Sequence, residues 1–209
     1  PMLGIDLMDQ VIANGDSLVI DVPNYVIPDD ASDPYVNTVS VHVTVEGFPN
    51  EYDDSAQWET NLFQPAIDVT KTGDDLSKIG DMVDYQIEVF NNSSADTPTM
   101  YFDISDPMLG INLVDQVIAN GASLVIDELD YVIPDDASDP YVNTVSVHAT
   151  IEGFPNEYDD SAQWETNLFQ PAIDVTKSGD PLSKIGDMVD YQIEVFNNSS
   201  ADTPTMYFD

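Results

Sequence analysis

From residue 64 onward the chain alternates apolar and polar positions with a period of two, the pattern of strands that bury one face. Ile67, Val69 and Lys71 share one face of a first strand; Val83, Tyr85, Ile87 and Val89 share one face of a second; Met100, Phe102 and Ile104 do so in a third. Segments 111–118, 123–133, 141–152 and 160–169 continue the series. Between them lie turn-rich stretches: GDDLSKIGD, NNSSADTP, DPMLG, ANGA, PDDASDP and GFPNEYDD. No stretch carries the apolar stripe of a helix. Seven short strands separated by regular turn signals predict an all-β fold of the sandwich type.

The same pattern occurs twice. PMLGIDLMDQVIANG starts at Pro1 and PMLGINLVDQVIANG at Pro107, a period of 106 residues. Residues 1–103 and 107–209 differ at ten positions, among them Asp6/Asn112, Val43/Ala149 and Asp75/Pro181. A period of this length is a whole-domain repeat, not a solenoid unit. In this phase one complete domain spans 64–169, with 1–63 the C-terminal part of a preceding repeat and 170–209 the N-terminal part of the next. Two readings of the cut points are open. The chain is two periods of a longer array, or it is a subunit whose ends complete neighbouring subunits by strand exchange. Both make the chain's partner a copy of itself, joined head to tail in an open assembly.

The order of features carries a resemblance. IDVTKTGD is followed by GDMVDYQIEVFNN, YFDISDPMLG, NGASLVI and YVNTVSVHATIEG. This resembles the conserved-repeat family called domain of unknown function eleven, with its relatives. The matching features are a Lys ending the first strand, a Y-x-I-x-V-x-N second strand, an Asp-Pro ending the third and an Asn-Thr opening the sixth. The resemblance implies tandem Ig-like β-sandwich domains, about seven strands each, secreted and displayed on bacterial or archaeal surfaces. This sequence carries far more acid than a typical member.

Charge narrows the function. Forty acidic residues stand against four lysines, for a net charge of −36. Nucleic acid is excluded as a partner, because binding it requires cations to displace its counterions. Anionic lipid surfaces should repel the chain, and no apolar run approaches the roughly 20 residues of a membrane helix. The hydrophobic share of 42% is enough for packed cores, so the acidity does not mean disorder. With no cysteine, disulfides and thiolate metal sites are absent. Salt or divalent cations must offset the self-repulsion.

Three candidate chemistries follow. Short carboxylates in turns suit calcium. The sharpest pattern is Asp-Asp-x-x-Asp at Asp135, Asp136 and Asp139, repeated at Asp29, Asp30 and Asp33; Glu157, Asp159 and Asp160 are expected in a loop at the opposite end of the domain. The alternative is a set of plain solvated turn acids. Second, Lys71, Asp106 and Asn143 each fall on an inward face at the same end of the expected sandwich. A buried lysine needs a partner. The plain reading is a Lys–Asp pair hydrogen-bonded to the Asn amide, and the sharper one is a self-formed isopeptide between Lys71 and Asn143 with Asp106 carrying the proton. Third, Asn91, Asn92, Asn197 and Asn198 fit the N-x-[ST] glycan acceptor pattern, with ordinary turn chemistry as the alternative. His42 and His148 point away from the core face and read as cross-strand surface residues. No Ser/His/Asp set, phosphate loop or His cluster is present, so the chain reads as a non-enzyme.

The expected function is structural: an extracellular filament, stalk or sheath built head to tail, with calcium as a candidate stiffener. The alternative is a spacer or adhesin arm that binds a surface ligand or glycan.

Overall fold

The computed structural model describes residues 3–209; the first two residues of the opening PMLG motif lie outside that range. The described residues form an all-β structure, with strands in several sheets and no helix. The chain divides into two compact units, Pro1–Phe63 and Gln64–Asp209.

In the first unit, β1 (Tyr35–Thr44) and β2 (Glu51–Thr60) form an antiparallel hairpin with Tyr35 opposite Thr60 and Thr44 opposite Glu51. The second unit contains β3 (Ile67–Gly73), β4 (Leu76–Ser77), β5 (Met82–Asn91), β6 (Met100–Asp106), β7 (Ile111–Val117), β8 (Ser123–Val132), β9 (Tyr141–Ile151) and β10 (Phe154–Leu168). It ends in a further antiparallel pair, β11 (Ile173–Gly179) and β12 (Tyr191–Asn197).

Strands β3 to β10 make two sheets in a β-sandwich-like arrangement, one ordered β4-β10-β9-β6-β7 and one ordered β3-β5-β8. The alternation of the sequence sets what each sheet buries. From one sheet come Val69, Val83, Tyr85, Ile87 and Val89; from the other come Met100, Phe102, Ile104, Val145, Val147 and Ala149. Each buried Val, Ile, Phe or Met side chain among them contributes about 1.5–3 kcal/mol by leaving water. At one end, Val83, Tyr85, Ile133, Tyr141 and Leu168 form a cluster, with the Tyr141 hydroxyl 2.9 Å from that of Tyr131.

Two elements depart from the expectation. β4 lies inside the expected GDDLSKIGD turn and is held by parallel pairing to β10, with Leu76 opposite Asn167 and Ser77 opposite Leu168. β10 begins at Phe154, not at 160, because its hairpin with β9 zips directly from the turn through a bulge between Phe154 and Glu157. Glu157, Asp159 and Asp160 are therefore strand residues, which corrects their expected place in an end loop.

Near-identical sequence takes different structure in different surroundings. Residues 111–117 and 123–132 form β7 and β8 against β6 and β5. Their counterparts at 5–11 and 17–26 form no strand. A strand needs a neighbour to satisfy its backbone donors and acceptors, and propensity alone does not supply one.

Candidate functional site

The site is built by three inward positions on facing strands. Lys71 follows Val69 on the inner face of β3, in a row that periodicity would fill with an apolar residue. Its side chain and that of Asp106, the last residue of β6, are completely removed from solvent. The Lys71 ammonium donates to Oδ2 of Asp106. Oδ1 of Asp106 accepts the backbone N–H groups of Met108 and Leu109, each at 3.1 Å. This is the turn that an Asp-Pro step favours, and it fixes the orientation of the carboxylate. Burial pushes the Lys71 ammonium below the ordinary lysine value, and the hydrogen bond and charge of Asp106 offset part of that fall.

Tyr85 forms the wall of the site. Its ring centroid is 5.1 Å from Lys71 Nζ, and burial raises the pKa of its phenol. The ring lies over Gly73, its partner on β3. A Cβ at Gly73 would stand 2.8 Å from Tyr85 Cδ1 and 2.9 Å from the Asp84 carbonyl oxygen, so only glycine admits this packing. The same contact recurs at β11–β12, where Lys177 Nζ is 4.7 Å from the Tyr191 ring centroid. The pairing of the two strands is thus sufficient to set it.

Asn143 occupies the inner face of β9 between Tyr141 and Val145 and is fully buried. Neither its amide nitrogen nor its amide oxygen has a hydrogen-bond partner. An unsatisfied buried polar group costs about 1–3 kcal/mol, and such groups are rare in native structures. The register of β6 with β9 runs to Ser105 opposite Ser146. One step further sets Asp106 opposite Val145, which makes Asn143 its diagonal neighbour on the same face; such neighbours stand about 7 Å apart. The structure therefore brings the three expected residues to one end of the sandwich. It forms the Lys–Asp pair and leaves the Asn amide without the hydrogen bonds of the plain reading. The sequence reading missed Tyr85, Gly73 and the Met108 and Leu109 N–H groups. Its available signal was the DPMLG turn that begins at Asp106.

The turn acids are placed individually. Asp139 accepts the Leu168 backbone N–H at 2.9 Å, and Asp33 accepts that of Leu62 at 3.0 Å. Asp29, Asp30, Asp135 and Asp136 lie exposed in turns. Asp159 takes the imidazole of His148 at 2.8 Å. Asp160 accepts the backbone N–H of Val69 at 2.9 Å, satisfying a donor on the edge strand of the opposite sheet. Among the described residues, no group of three or more His, Asp or Glu is gathered so as to hold a metal ion.

Of the glycan candidates, Asn91 is fully buried. Its amide nitrogen donates to the Ile118 carbonyl at 2.7 Å and to Asn120 Oδ1 at 3.1 Å, so in the folded domain that nitrogen is not open to a glycan. Asn92, Asn197 and Asn198 are exposed. His42 and His148 sit in cross-strand pairs with Asp53 and Asp159.

Compared with models of protein families and with curated proteins, the chain matches none.

Proposed function

We propose that this chain is a segment of a head-to-tail array of Ig-like β-sandwich repeats that serves as a structural element, a filament, stalk or sheath, on a prokaryotic cell surface. One observation supports it above the others: the same repeat positions are buried in the central domain and bare in the flanking pieces. Val145, Val147 and Ala149 are at most 2% exposed, whereas their counterparts Val39, Val41 and Val43 are 46–59% exposed. Tyr85, Ile87 and Val89 are at most 2% exposed, whereas Tyr191, Ile193 and Val195 are 51–65% exposed.

The bare faces are complementary halves. In the central repeat the sheet containing β9 and β10 is covered by the sheet containing β3 and β5. The β1–β2 hairpin corresponds to the first and the β11–β12 pair to the second. Each bare face would accept the other half, which a second copy of this chain can contribute. Exposed apolar faces of this extent mark interaction surfaces. A contact between unlike ends repeats without closing, which gives a filament. Calcium or salt would have to moderate the repulsion between chains of charge −36.

The test follows the purified chain by sedimentation across a concentration series and by electron microscopy, with and without a calcium chelator. Growth into filaments of uniform repeat is expected. Separate monomers at every concentration overturn the reading. Filaments that disperse on chelation would assign the turn acids to calcium.

A further inference from the structure

We propose that Lys71 and Asn143 form an intramolecular amide bond, with Asp106 as the carrier of the proton. The proposal rests on the central domain and is independent of head-to-tail assembly.

The steps balance within these three residues. The Lys71 ammonium passes a proton to the Asp106 carboxylate with which it is paired, leaving a neutral amine with a free electron pair. That pair attacks Cγ of Asn143, and a C–N bond forms. Asp106 returns the proton to the departing amide nitrogen, the original C–N bond breaks, and ammonia leaves, taking up the second amine proton. No oxidant, water or cofactor enters the balance.

Several observations converge on this chemistry. The ammonium and the carboxylate are both wholly buried and in direct contact, the geometry that proton transfer requires. Burial already favours the neutral amine over its charged form. The carboxylate is held by two backbone N–H groups, so its free oxygen stays directed at the lysine. The Asn143 amide has no hydrogen bond that the reaction would have to break. An isopeptide would remove the buried ammonium and the unsatisfied NH2 group together, two features otherwise unfavourable in a protein interior. Asn91 is a contrast within the same domain: it is equally buried, but its amide is fully engaged by Ile118, Asn120 and Ser93.

The test weighs the intact full chain under denaturing conditions. A mass lower than that of the sequence by one ammonia is expected, together with a branched peptide joining the Lys71 and Asn143 segments after digestion with a protease that cuts at acidic residues. Asp106→Asn, checked for folding by circular dichroism, should retain the full mass. Full mass in the unmodified chain with no branched peptide overturns the proposal, whatever the variant does. Loss of ammonia with only linear peptides also overturns it, because the Asn14–Gly15 and Asn120–Gly121 steps can lose ammonia by closing on their own backbone. A branched peptide formed as fully in Asp106→Asn as in the unmodified chain overturns the role given to Asp106.

Discussion

The carboxylate of Asp139 accepts the backbone N–H of Leu168 at 2.9 Å, fastening the turn before β9 to the last residue of β10. Leu168 belongs to the buried end cluster, so this bond holds the final strand over its core. Asp139→Ala leaves the donor unpaired and is expected to cost about 1–3 kcal/mol in urea unfolding of the full chain. Asp139→Asn retains an accepting oxygen and should lose less than half as much. Equal losses in the two variants would show that the bond is not the cause.

Val147 and Val41 are one position of the repeat in two surroundings. Val147→Ala removes buried methyl groups and leaves a cavity, for an expected loss of about 2 kcal/mol. Val41→Ala acts on an exposed face and should change the stability of the isolated chain by no more than about 0.5 kcal/mol. Its effect should appear in sedimentation, as weaker self-association.

The His148 imidazole titrates above its ordinary value because Asp159 accepts its Nδ1–H and stabilises the charged form. The folded state thus holds the proton more tightly than the unfolded chain does. The resulting stabilisation is complete below the unfolded value of about 6.5 and is lost as pH rises through the folded one. Both groups are substantially exposed, so its size is small. An NMR titration should find the His148 midpoint lower in Asp159→Asn; an unchanged midpoint contradicts the pairing. His42 with Asp53 should behave in the same way.

The charge of −36 predicts a salt response. Raising sodium chloride from about 10 mM to about 1 M shortens the screening length from about 30 Å to about 3 Å, and the thermal midpoint is expected to rise. Calcium chloride at matched ionic strength should raise it further if turn acids bind the ion in the assembled state. Matching midpoints would leave screening as the whole effect.

Much of this was legible in the sequence because a strand's period of two is a strong local signal. The rows Val83–Val89 and Met100–Ile104 emerge buried as their alternation requires. The placement of Lys71 and Asp106 on inward rows was equally readable, since one residue of slip would have turned both outward. What local pattern could not supply was the partner. β4 is too short to show a period and exists only through β10. The extension of β10 back to Phe154 depends on β9 continuing opposite it, and this moved Asp159 and Asp160 from a loop into a sheet. The unsatisfied state of Asn143 follows from packing across two sheets and has no sequence signature.

The parallel pairing of β4 with β10 also has a mechanical consequence. β4 lies near the point where the chain enters the domain, and β10 near the point where it leaves. Pulling on the two ends loads β3, paired to β5, first, and then draws β4 toward its N-terminus and β10 toward its C-terminus, in opposite directions along one axis. The bonds of Asn167 N–H to Asp75 and of Phe169 N–H to Ser77 then lie across the direction of pull and must yield together. Force applied between the entry and exit points of the domain loads this junction in shear instead of peeling it open one bond at a time.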